Sequence, residues 1–174
     1  MIFRPPTEGD FRALAAMRRD VSMQAMLMAI PEATDDDAVR QWIDRRTREP
    51  GGLFRVIADG DANDAVGFIQ VSQVNRRNRN GYGAVAVSAR ARRPGVGQIA
   101  MRELMRAACC DLGLRKLLAE IRIDNFAAIQ MNLMAGYRIV GTLAAHFIDA
   151  AGRAHDVLLL ERRLDPDEFQ AAKS

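Results

Sequence analysis

The chain has 174 residues, 49% of them hydrophobic, with 25 Lys and Arg against 22 Asp and Glu and a formal net charge of +3. That length supports one hydrophobic core, so a single globular domain over residues 1–174 is expected. The balanced charge excludes a dedicated nucleic-acid binder. The lack of an apolar run of about eighteen residues excludes a membrane span, and with no hydrophobic signal region at residues 1–6 the expected compartment is the cytoplasm.

Residues 2–4 read as a first strand, and Thr7-Glu8-Gly9-Asp10 as a capping box that starts a helix with the stripe Phe11, Leu14, Ala15 and Arg18. Residues 17–28 carry Met17, Met23, Met26 and Met28, flexible side chains that fill core gaps or line an adaptable acceptor pocket. Met26 is the candidate substrate contact among them. After Pro31, Thr34 and the acids Asp35, Asp36 and Asp37 cap a second helix carrying Val39, Trp42, Ile43 and Arg46. Pro50-Gly51-Gly52 ends it. Residues 53–58, 66–73 and 82–87 read as strands whose short connections predict antiparallel neighbours. The loop between the last two carries Arg76, Arg77 and Arg79 without aromatic residues that would stack bases, so no nucleic-acid partner is expected.

The sharpest feature follows the third of these strands. In Arg92-Arg93-Pro94-Gly95-Val96-Gly97-Gln98, Gly95 and Gly97 are expected to take positive φ and turn backbone N–H groups toward an anion, at the positive end of the next helix. Arg90, Arg92 and Arg93 put guanidinium groups beside the same turn. A Walker A loop is excluded because Gln98, and not Lys, follows Gly97. A dinucleotide fingerprint fits Gly95 to Ala100 on paper, but its first glycine should leave the strand directly, and here residues 88–94 intervene.

The helix after the loop has the stripe Met101, Leu104, Met105, Ala108 and Leu112, with Gly113 placed to close it in a left-handed conformation. Cys109 and Cys110, adjacent on this helix, suit a reducing compartment and not an ordinary disulfide. Residues 117–123 are then a strand parallel to 82–87, reached through a helix. A helix over 125–135 and strands over 137–145 and 155–163 complete the chain.

Arg92-x-x-Gly95-x-Gly97 between a strand and a helix resembles the Q/R-x-x-G-x-G/A loop of the GNAT superfamily of acyl-coenzyme A dependent N-acyltransferases. Asn125-Phe126-Ala127-Ala128-Ile129 followed by Gly136-Tyr137 is similar to that family's downstream signature. The resemblance implies an α/β fold: a mixed, mostly antiparallel sheet with a central splayed parallel strand pair and flanking helices. It implies acetyl-CoA as co-substrate, with no metal. The pantetheine arm would lie along Val85, Ala86 and Val87, and Arg92, Arg93, Gly95, Val96, Gly97, Gln98 and Asn125 are the further coenzyme contacts that it implies. Arg4, Arg18-Arg19-Asp20 and residues 149–160 look like the branch of ribosomal-protein amino-terminal and polyamine acetyltransferases. The implied acceptor is an amine of a small molecule or a protein N-terminus.

A primary amine with a pKa near 10 is mostly protonated at neutral pH, so a base or water chain has to overcome roughly 4 kcal/mol, about three pKa units. Glu120, a carboxylate inside the strand 117–123, is the first candidate base; alternatively it pairs with Arg122 or across strands on a solvated face. His155 is the second candidate, or a structural residue opening its strand, and His146 the third. Tyr82 contacts substrate or packs. Many family members place a Tyr near the coenzyme sulfur, seven residues after the helix-opening Asn. Here that position is Asn132, whose amide can donate to sulfur but cannot protonate a leaving thiolate. The alternative function is a degenerate acyl-CoA binding or sensing module on the same fold.

Overall fold

The computed structural model describes residues 1–59, 63–91 and 93–170. The chain enters through β1 (Ile2–Arg4) and turns at Thr7, whose backbone N–H and hydroxyl donate to the Asp10 carboxylate at 2.7 and 2.8 Å. Arg4 clamps the same buried carboxylate at 2.7 and 2.9 Å and, as the main cause, holds its pKa below the usual range. The expected capping box therefore opens a 3-10 turn, Glu8–Asp10, that runs into α1 (Phe11–Arg19). Asp20 caps α2 (Val21–Met26) by accepting the Met23 N–H at 2.9 Å, and Asp35 caps α3 (Asp36–Thr47) by accepting from Ala38 at 3.0 Å. Too short to show a helical period, α2 is not foreseen by the sequence pattern.

Next, β2 (Leu53–Asp59), β3 (Asp64–Asn75) and β4 (Asn80–Val87) form the expected antiparallel meander. Alternation along these strands serves two apolar faces. Phe54, Val56 and Phe68 meet α1 and α3, with Trp42 edge-on to the two phenylalanines at 5.6 and 5.7 Å. Ile57, Ile69 and Val71 face the other way, onto α4 (Val96–Arg106) and the turn after it; of the expected stripe, Met101, Leu104, Met105 and Ala108 are buried and Leu112 is half-buried. A sheet covered on both faces explains why these strands read as nearly continuous apolar runs.

Beyond Arg106 the helix changes pitch. Ala107–Asp111 is a π turn closed by the Leu112 N–H on the Ala107 carbonyl at 3.1 Å, after which Gly113 takes the expected left-handed φ of +66°. Then come β5 (Lys116–Arg122), α5 (Phe126–Met134), β6 (Arg138–Ile148), β7 (Ala154–Arg163) and the short α6 (Pro166–Gln170), which the sequence pattern does not show. The seven strands lie in the order β1-β2-β3-β4-β5-β7-β6, and β4–β5 is the parallel pair. On β5, Leu117, Ala119 and Ile121 are buried in alternation. Ile123 does not continue that row: the strand ends at Arg122, whose carbonyl accepts the Asn125 N–H at 2.9 Å, and the isoleucine is left 45% exposed. Among the described residues no helix is long and apolar enough to cross a membrane.

Candidate active site

Gly95 stands at the N-terminus of α4 with φ +91°, its carbonyl accepting the Ile99 N–H at 2.9 Å. A Cβ there would meet nothing within 4 Å, so the left-handed backbone, and not crowding, calls for glycine. Gly97 departs from the expectation of a second left-handed glycine. It lies in the first turn of α4, where a Cβ would come 2.9 Å from Met131 Sδ, so its missing side chain lets α4 and α5 approach each other. Val96 is buried and anchors the turn. Arg90 is exposed, Arg93 is drawn into an ion pair with Asp59, and Arg92 lies outside the described residues. A groove of about 870 Å³ runs on from this turn along the helices; Gln98, Ile99, Arg102, Met131 and Met134 line it, and no residue of β4 or β5 does.

The second part of the site is a gap in the sheet. Between β4 and β5 the register holds for Asn80↔Lys116, Gly81↔Leu117 and Tyr82↔Leu118, and stops there, although β4 runs on to Val87 and β5 to Arg122. The two strands splay from Tyr82 onward. On its other side β4 stays in register with β3, pairing Val85, Ala86 and Val87 with Ile69, Phe68 and Gly67. A left-handed turn at a helix N-terminus, next to strands that part, fits an elongated thiol ester with a pyrophosphate: Gly95 to Gln98 would hold the phosphates and the 85–87 segment the pantetheine arm.

At the mouth of the gap Tyr82 lies beside Glu120, and burial first, with the Glu120 charge second, pushes the pKa of its hydroxyl up. Glu120 is not paired with Arg122. Its Oε2 lies 4.0 Å from Nε2 of His146 on β6. Arg122 is itself buried, bonded to Asp124 at 2.5 and 3.0 Å, 5.8 Å from the Phe147 ring, and 3.4 Å from the Ala25 carbonyl at the end of α2. This contact draws the end of α2, and with it the partly exposed Met26, toward the end of β5.

The other candidates are engaged elsewhere. His155 gives Nε2 to the buried Asp149 at 2.9 Å, and Asp149 also accepts N–H groups of Ala151 and Arg153 and the Arg153 guanidinium. These bonds, with His155 first, hold Asp149 well below the usual carboxylate range. Asn132 is buried and donates to the Ala128 carbonyl one turn earlier at 2.9 Å. Asn125 caps α5, its Oδ1 accepting the Ala128 N–H at 3.3 Å. Sequence reasoning did not foresee the approach of His146 to Glu120 and missed the buried Arg122–Asp124 pair, for which the i, i+2 spacing of opposite charges at a strand end was the available signal. Among the described residues no group of three or more His, Cys, Asp or Glu gathers as a metal site.

The model of the acetyltransferase (GNAT) domain family matches residues 1–138. The structure of spermidine N-acetyltransferase from Vibrio cholerae with CoA and spermine superposes with a TM-score of 0.86 at 15% identity, over 97% of each chain. Ribosomal-protein-alanine N-acetyltransferase from Brucella melitensis gives 0.79 at 26% identity, over 94% of this chain and 100% of that one. A search of curated proteins found no match. The family match runs from β1 to the first residue of β6 and so takes in the loop, the gap and Glu120; the chain belongs to the GNAT family and is an acetyl-CoA-dependent N-acetyltransferase.

Proposed function

We propose that the enzyme passes the acetyl group directly from acetyl-CoA to a singly charged amine, the α-amine of a peptide or protein, within a ternary complex, and that Glu120 is the base. The observation that carries this reading is the setting of Glu120 at the mouth of the β4–β5 gap, beside Tyr82 and, among the described residues, tied to no Arg or Lys. When bound, acetyl-CoA supplies an activated acyl carbon. The chain supplies the rest. Glu120 attracts the ammonium and takes its proton, Tyr82 orients the carboxylate, and backbone N–H groups near residues 85–87 polarise the thioester carbonyl. Asn132 is a candidate hydrogen-bond donor to the departing sulfur.

The charge pattern supports a single ammonium. Of the carboxylates on β5, β6, β7 and their connections, Asp124 is neutralised by Arg122, Asp149 by Arg153, and Glu161 by Lys116 and Arg138, while Asp149 is also bonded to His155 and Asp156 accepts the Ala145 N–H. A polyamine would meet Glu120 as the one carboxylate of this set bound, among the described residues, to neither an Arg or Lys nor a backbone N–H. An α-amine, with a pKa near 8, also costs only about 1 kcal/mol to deprotonate at pH 7, against about 4 kcal/mol for an alkyl amine. The Brucella melitensis neighbour named for ribosomal-protein alanine points the same way. The deciding experiment is an acceptor screen with acetyl-CoA, reading thiol release and product mass for a peptide with N-terminal alanine and for spermidine, with initial rates at varied concentrations of both substrates. Preference for the peptide and intersecting double-reciprocal lines are expected. Acetylation of spermidine alone would overturn the acceptor assignment, and parallel lines would overturn direct transfer.

A further inference from the structure

We propose that His146 is a positioning and proton-relay residue for Glu120, carrying the proton taken from the amine out to solvent; the proposal rests on Glu120 being the base. Glu120 is on β5 and His146 on β6, with β7 between them. Strands two apart in a sheet are separated by about 9.6 Å, twice the usual interstrand spacing. The two side chains nevertheless approach to 4.0 Å, so the imidazole reaches back across β7.

A local device makes that reach possible. The register between β6 and β7 is broken between Leu143↔Val157 and Phe147↔His155, where β6 spends four residue steps against two on β7. Within this bulge Ala145 has φ +48°, a left-handed conformation that a residue with a Cβ adopts only when its surroundings hold it there. The hold is visible: Asp156 on β7 accepts the Ala145 N–H at 2.8 Å. In plain register the strand position opposite Leu159, the partner of Glu120, is Gly141, which brings no side chain. The bulge brings His146 into that neighbourhood from further along the strand, in keeping with the use of bulges to re-aim a side chain beside an active site.

Exposure supports an outward path. The Glu120 side chain is 32% exposed and that of His146 is 49% exposed, so the imidazole is the more open of the two. An N–H bond of the ammonium breaks as an O–H bond forms on Glu120. The proton then passes to Nε2 of His146 and from the imidazolium to water, which restores the carboxylate, and no further reactant is consumed. The gap of 4.0 Å closes with a small rotation of a half-exposed ring, and catalytic hydrogen bonds are commonly long before substrate binds. At this end of the sheet the charged and titratable groups on the packed elements are Glu120 on β5, Tyr82 on β4, Asp156 on β7, Arg122 with Asp124 at the end of β5, and His155 with Asp149 at the start of β7, while Lys116, Arg138, Glu161, Arg162 and Arg163 lie at the other end of the same strands.

The test compares His146→Gln, His146→Ala and Glu120→Gln by the pH dependence of kcat and kcat/KM with acetyl-CoA and whichever of the alanyl peptide and spermidine the wild type acetylates faster. Melting temperature and coenzyme affinity serve as controls on folding. His146→Gln is expected to lower kcat about tenfold at neutral pH, to change the shape of the pH profile, and to leave acetyl-CoA affinity unchanged. Added imidazole is expected to restore His146→Ala and not Glu120→Gln. If His146→Gln keeps the wild-type rate and profile while Glu120→Gln is crippled, the relay is wrong and the base assignment stands. If both keep wild-type rates, the base assignment has failed first. A slow His146→Ala enzyme that imidazole does not rescue also overturns the relay, reducing His146 to a packing role.

Discussion

The two flanks of β5 differ sharply. Toward β4 it holds three residue pairs and parts from its neighbour; toward β7 it holds seven, from Lys116↔Arg163 to Arg122↔Val157, and Lys116 adds an ion pair to Glu161 at 2.8 Å. One strand is thus a rigid wall on one side and the lip of a slot on the other. Opening a sheet forfeits ladder hydrogen bonds, and the molecule confines that loss to a place where a ligand's own amides can replace them. The difference shows how a fold dominated by antiparallel pairing opens a slot in its sheet without weakening its core.

Substitutions on the two flanks should separate chemistry from stability. The largest effect belongs to the open flank: Glu120→Gln is expected to lower turnover at neutral pH by about 10²- to 10³-fold, or about 3–4 kcal/mol, with little change in coenzyme affinity and a steeper rise in rate toward high pH, measured by steady-state kinetics. On the closed flank, Leu160→Ala removes a fully buried side chain paired with Ala119 and should cost about 3 kcal/mol in chemical denaturation while the folded protein still binds acetyl-CoA. A large change in coenzyme affinity in that variant would show that the flanks are not independent. Acetyl-CoA at about a hundred times its Kd should add about 2.7 kcal/mol of stability in thermal melts, and NAD should add none. Gly97→Glu should abolish the gain, both by placing negative charge at the helix N-terminus and by driving a side chain against Met131. The smallest effect is expected for Asn132→Ala, no more than about tenfold in turnover, about 1.4 kcal/mol. A thousandfold loss with unchanged fold and affinity would mean that α5 controls the leaving thiolate.

Much of this was legible in the sequence because it depends on local rules. Thr7-to-Asp10 capping, the Asp35 cap, the stripe of α4, the stop at Gly113 and the left-handed Gly95 each follow from a few neighbouring residues. What escaped depends on distance across the sheet. Gly97 looks like a phosphate-loop glycine until Met131 is seen against it. Arg122 looks like half of a solvated i, i+2 pair with Glu120, but the strand end folds it under Phe147 and onto Asp124. His146 falls at no telling position, since the break in register that turns it toward Glu120 leaves no mark on hydrophobic period.

The lopsided pairing of β5 also has a consequence for synthesis. The strands β2, β3 and β4 can pair as soon as they emerge, and α4 can dock on them, but the long partner of β5 follows only after α5 and β6. At about 5–20 residues per second, several seconds pass between the appearance of β5 and that of β7. Through that interval the apolar row Leu117, Ala119 and Ile121 lacks the neighbour that later covers its edge, and an unpaired apolar strand is a template for wrong partners. The nascent chain is therefore most exposed to aggregation, and most suited to a chaperone's grasp, just before its catalytic wall is finished.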